Sequence, residues 1–182
     1  MKIGKTFYAK NRKEWRAWLG KHGATATEIW LIYYKKASGK PRIPYNDAVD
    51  EALCYGWIDG ILKPIDEHKY AQRYSPRRKT SKLSDMNRER VRRLVKSGRM
   101  TKAGLAAIAH VAKKTPSLPA DILKRLKRDA VTWKNFQKFP ASYKRIRIGW
   151  IHAARHRRDA FEQRLRYFLK MTAQNKRFGM VQ

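Results

Sequence analysis

The chain predicts an α+β fold: a small antiparallel sheet covered by helices, with a helical C-terminal subdomain. Three observations lead there. Between residues 28 and 75, three short runs rich in β-branched and aromatic residues are bounded by turn-forming residues, as strands are. From residue 85 onward, apolar residues recur at spacings of three and four behind Ser, Thr and Pro helix starts. Six Trp, nine Tyr and six Phe, within a hydrophobic fraction of 42%, supply core material that disordered chains lack. A length of 182 residues suits one compact domain with an extension.

The first helix follows Asn11, an N-cap with Glu14 three residues on; Trp15, Trp18 and Leu19 form its inner face, and Gly20 or Gly23 ends it. Residues 28–35 are apolar on both faces, as in a central strand, and Ser38-Gly39-Lys40-Pro41 then turns the chain. A second helix is expected from the cap Asn46, with Asp47 and Asp50 near its positive end, Val49, Leu53 and Trp57 every four residues, and its end near Gly56. Residues 57–63 and 69–75 read as two strands joined around Asp66-Glu67, with Tyr70, Gln72 and Tyr74 on one face. Helices are then expected over 85–97 after Ser84, 102–113 after Thr101, 120–138 with a break near Asp129, 141–154 after Pro140, and 157–172. The organisation is an α+β domain over residues 1–114 and a helical region over 120–182, separated at Thr115-Pro-Ser-Leu-Pro119.

Charge narrows the partners. The chain holds 44 Lys and Arg against 14 Asp and Glu, a formal +30, and such a field attracts polyanions such as nucleic acid or other phosphate-bearing ligands. The alternative is a basic surface that only solubilises. The charge is uneven, for Asp47, Asp50, Glu51, Asp59, Asp66 and Glu67 face Lys63 alone between residues 45 and 68, while the flanking stretches are strongly basic. Internal ion pairing, or an acidic site on a basic surface, follows from that arrangement. Cys54 is the only cysteine, which excludes an intramolecular disulfide and a cysteine-based zinc site. The start lacks the apolar run of a signal peptide and no window has the length of a transmembrane segment, so a soluble, cytoplasmic protein is expected.

The words Glu51-Ala-Leu-Cys-Tyr-Gly-Trp-Ile-Asp-Gly60, Tyr74-Ser-Pro-Arg-Arg-Lys-Thr-Ser81, Ser97-Gly-Arg-Met100 and Tyr143-Lys-Arg-Ile-Arg-Ile-Gly-Trp-Ile-His-Ala-Ala154 carry a family likeness. The chain resembles the YdeI/OmpD-associated family, the bacteriocin-protection proteins, over nearly all of residues 26–179, with the first two words the most specific part. The resemblance implies a small bacterial protein tied to resistance against antimicrobial peptides, and no established reaction.

Candidate sites come from residue chemistry. Arg77, Arg78, Lys79 and Ser81 sit between a strand end and a helix start, where guanidinium groups and helix N–H groups suit an anion. Asp59, between Gly56 and Gly60 in an apolar stretch, needs a partner or a function, and Trp57, Asp59, Arg73, Tyr74 and Arg77 form a candidate pocket for a small anionic ligand. The competing structural reading pairs Arg77 and Arg78 with Asp50, Glu51 or Asp59. Antiparallel pairing is expected to set 57–60 opposite roughly 72–75 and to bring Asp59, Arg77 and Arg78 together. Arg88, Arg92, Arg93, Lys96 and Arg99 form a cationic stripe suited to nucleic-acid backbone, opposite Val91, Leu94 and Val95. His22, His68, His110, His152 and His156 are scattered; only the last two share a helix face, among arginines that repel a cation, so no metal and no cofactor is expected. Without a nucleophile elbow or a paired base, the reading leans to a binding protein rather than an enzyme, and it sets no oligomeric state.

Overall fold

The computed structural model describes residues 2–78, 80–109 and 118–179. The chain falls into two compact units: Met1–Lys82 with Arg90–Lys113, and Leu83–Glu89 with Lys114–Gln182.

In the first unit the order is β1 (Thr6–Tyr8), α1 (Arg12–His22), β2 (Ile29–Tyr34), a 3-10 turn (Lys36–Ser38), α2 (Tyr45–Cys54), β3 (Trp57–Pro64) and β4 (Lys69–Pro76). The C-terminal part of α3 (Asp85–Lys96) and α4 (Lys102–Ile108) complete it. The strands lie in the order β1-β2-β4-β3. The α+β class holds, but the sheet is mixed rather than wholly antiparallel, because the short β1 pairs parallel to β2. Three residues are too few for periodicity to reveal β1.

Local chemistry explains most boundaries. The Asn11 side chain accepts the Glu14 N–H at 3.0 Å, and Glu14 reaches back to the Lys10 N–H at 2.8 Å, which fixes the start of α1. Trp15 and Leu19 are its buried positions; Trp18 is only partly covered. The second helix starts at Tyr45, not behind Asn46, because Pro44 precedes it with φ already near the helical value and its carbonyl receives the Ala48 N–H. Trp57 opens β3, as the strand expected over 57–63 requires, since Gly56 takes φ +76° and breaks the helix. A Cβ on Gly56 would sit 2.8 Å from the Ala107 Cβ, so the same glycine lets α4 approach. The core of this unit lies between the sheet and α1–α2, around Trp15, Leu31, Tyr33, Ala52, Trp57 and Tyr74.

The second unit holds the start of α3 and then α5 (Ala120–Leu126), α6 (Ala130–Lys138), α7 (Ala141–His152) and α8 (Arg158–Ala173). The break expected near Asp129 is present, and Asp129 caps α6 by accepting the Thr132 N–H at 2.6 Å. Ile122, Leu126, Phe136, Tyr143, Ile151 and Phe168 anchor its core, with Phe178 packed against it. The helix expected to reach residue 113 is described to Ile108, and residues 115–117 of the expected boundary lie outside the described residues.

Candidate functional site

The residues expected to surround Asp59 are largely core or already bonded. Trp57 is 1% exposed and its indole N–H donates to the Gly23 carbonyl at 3.0 Å. Tyr74 is fully buried with its hydroxyl 3.0 Å from that of Tyr33, and burial raises both phenols. Arg73 donates to Glu28 at 2.7 Å, and this bond holds the Glu28 carboxyl below its usual range. Asp59 accepts from the Tyr45 hydroxyl at 2.8 Å and the Gln72 amide at 3.2 Å, not from Arg77 or Arg78. Register is the reason. Trp57 stands opposite Pro76 and Asp59 opposite Tyr74, one step from the expected pairing, and a bulge follows before Leu62.

The arginine loop turns its donors inward. The Arg77 N–H bonds the Gly56 carbonyl at 2.8 Å, and its guanidinium, nearly buried, donates to the Ser81 carbonyl at 2.5 Å while its Nε finds no partner. The Ser81 N–H and hydroxyl both donate to the Arg78 carbonyl. Arg78 is exposed, and Lys79 lies outside the described residues. The Arg77 and Ser81 donors are thus engaged by the loop's own carbonyls.

Where the acidic stretch finds its counter-charge is on α2. Asp50 and Glu51 are 3% and 0% exposed. Asp50 accepts from Arg90 at 2.9 Å and from Arg93 at 2.6 Å. Glu51 pairs with Arg16 at 2.7 Å and with Arg99, and Arg12 approaches it at 3.5 Å while also pairing with Asp47. The expected partners Arg77 and Arg78 are not the ones used. This pairing draws on the expected cationic stripe, since Arg93 and Arg99 neutralise buried carboxylates. Arg88 donates to the Leu83 carbonyl at 3.2 Å, Arg92 is half-buried and Lys96 is exposed. Val95, expected inside, is 48% exposed; Arg90 takes an inward position instead, because Asp50 must be paired. Burial raises the Cys54 thiol, which keeps it protonated.

The helical unit carries a cleft of about 460 Å³ that the sequence did not announce, lined by Arg147, Trp150, Gln163, Arg164, Tyr167 and Phe178. Arg147 projects from the middle of α7 and is 6% exposed. Its guanidinium lies 4.8 Å from the Phe178 ring centroid, 5.7 Å from Tyr143 and 5.8 Å from Trp150. Its Nε has no hydrogen-bond partner, and burial makes its charge harder to hold. Arg164 stacks 4.7 Å from the Trp150 centroid and donates to the Trp150 carbonyl at 2.6 Å. A signal existed in Ile146-Arg147-Ile148, where an arginine shares the helix face of Tyr143 and Ile151.

Among the described residues no group of three metal-ligating side chains occurs, and no helix is long and apolar enough to cross a membrane. Fold and site define a two-unit basic protein, an α+β unit followed by a helical unit with an arginine–aromatic cleft. The model of a family described as a domain of unknown function (DUF8412) matches residues 7–107, more than half of the chain, and the chain belongs to that family. The family described as "Bacteriocin-protection, YdeI or OmpD-Associated" matches residues 115–175, which bears out the resemblance read from the sequence. The words at 51–60 and 74–81 fall in the first match and Tyr143–Ala154 in the second. Neither the curated proteins nor the solved structures contain a match to the chain.

Proposed function

We propose that this is a cytoplasmic anion-binding protein that engages a polyanion through exposed basic residues and contributes to resistance against antimicrobial peptides or envelope stress. The biological setting is borrowed from the description of the family matched at residues 115–175. The binding half rests on one observation, the fate of the carboxylates. Asp50, Glu51, Glu28, Glu89 and Asp121 are each matched by an arginine, so the remaining basic residues carry the excess charge. Of a net +30, much is displayed at exposed positions such as Lys96, Lys127, Arg128, Arg158, Arg166 and Lys170. Phosphates that meet such a surface release counterions and gain affinity without sequence preference. The alternative, a pocket protein or enzyme acting on an anionic metabolite at Asp59, Arg77 and Arg78, has less support, because Asp59 and Arg77 are already bonded within the protein.

Fluorescence anisotropy with a labelled DNA duplex tests the reading. Binding is expected at about 50 mM salt, with affinity falling about a thousandfold by about 200 mM if six or so phosphates are contacted. An absence of binding at the lower salt refutes polyanion engagement.

A further inference from the structure

Among the described residues the other buried arginines each hold at least one acceptor, although Nε of Arg77 and of Arg90 has none. Arg90 meets Asp50 at 2.9 Å and Arg77 donates to a loop carbonyl, while the half-buried Arg145 grips Glu89 with two bonds of 2.6 Å. Arg147 differs: among the described residues it makes no hydrogen bond and no ion pair, and its neighbours are the faces of three aromatic rings. Cation–π contacts return part of the cost of removing an ion from water but offer no hydrogen-bond acceptor, which carboxylate pairing normally supplies. Arg147 also lines an open cleft, so an anion arriving there meets a donor whose desolvation is already spent.

We infer that this cleft binds a small ligand in which an oxyanion is attached to a flat ring, the chemistry shared by nucleoside monophosphates and aromatic carboxylates. Arg147 takes the oxyanion, with Arg164 beside it, held in place by the Trp150 carbonyl. Gln163 adds an amide that can donate and accept. Trp150, Tyr167 and Phe178 offer apolar walls for the ring, and Tyr167, 45% exposed and 4.8 Å from Phe178 between centroids, forms the outer one. Among the described residues no carboxylate lines the cleft, which favours an anionic over a cationic ligand. A volume of about 460 Å³ suits a ligand of this size. The strip Phe178–Gly179 closes over the guanidinium: Gly179 has φ +73°, and a Cβ there would lie 2.6 Å from the Arg147 Nη2.

Isothermal titration calorimetry on the full chain with adenosine monophosphate, indole-3-acetate and inorganic phosphate tests the assignment. One ring-bearing probe is expected to bind at a single site about tenfold more tightly than phosphate, and which one does so identifies the source. Arg147→Met is expected to abolish that binding while leaving the melting temperature of the free protein unchanged or higher, since it removes an unpaired buried charge. Tyr167→Ala, at a half-exposed position, is expected to weaken the ring-bearing probe about fivefold and phosphate hardly at all, and carries the test if Arg147→Met fails to fold. The inference falls if no probe saturates, if the ring-bearing probes bind no better than phosphate, or if Arg147→Met melts lower with binding intact. It also falls if Arg147→Met removes duplex DNA binding in parallel, which makes the cleft part of the polyanion surface; loss of DNA binding by the wild type alone leaves it standing.

Discussion

Substituting Asp50 by Asn isolates the energetics that organise the α+β unit. Asp50 is 3% exposed and bonded by Arg90 at 2.9 Å and Arg93 at 2.6 Å, with Arg12 at 3.7 Å. The side chain of Arg90 is only 9% exposed, so Asp50→Asn leaves a nearly buried cation facing a neutral amide. Breaking a buried pair from one side costs about 3–5 kcal/mol. Arg93 is 46% exposed and regains water when released, so its share is screened and small. Asp59→Asn is the internal control: its bonds come from the neutral Tyr45 and Gln72, and losing them costs about 1 kcal/mol. Urea unfolding followed by tryptophan fluorescence reads both, with the double variant Asp50→Asn, Arg90→Met expected to recover much of the loss. If Asp50→Asn costs no more than Asp59→Asn, the assignment of the buried charge cluster is wrong.

Tyr45 is pushed up to about 12, by burial first and then by the Asp59 carboxylate, and burial also raises Tyr33 and Tyr74. A phenol raised above its unfolded value of about 10 stabilises the fold fully below that pH, and the contribution is lost as pH climbs through the folded value. Absorbance titration of tyrosinate should therefore show a late class among the nine tyrosines that ionises only as the fold is lost; a single step near pH 10 contradicts the buried tyrosine cluster. Gly56→Ala forces a side chain onto φ +76° against Ala107, and a loss of about 1–3 kcal/mol in urea unfolding is expected, whereas an unchanged midpoint shows that α4 does not pack there.

Most of the framework was legible along the chain. Caps and turns act within four residues, so Asn11, Thr101 and Asp129 set helix starts where the sequence placed them, and the strands around Asp66-Glu67 pair antiparallel as expected, though one step out of the expected register. The exceptions have local causes, a proline that starts α2 two residues early and a three-residue parallel strand too short to show a period. The site residues fared differently: Trp57, Tyr74 and Arg77 are nearly buried, and the register that separates Asp59 from an arginine partner depends on one step of strand pairing and a bulge.

The sequence alone determined the α+β class, the helical C-terminal part and the basic excess, because propensity, periodicity and charge are properties of neighbouring residues or of the sum. Tertiary structure decided which of 44 basic residues meets which of 14 carboxylates. Arg90, Arg93, Arg99 and Arg16 converge on Asp50 and Glu51 from distant points in the chain, while Arg147 is buried without a carboxylate among the described residues. Ion pairing and desolvation depend on distance through space and on what excludes water, and neither is written in the spacing of residues along the chain.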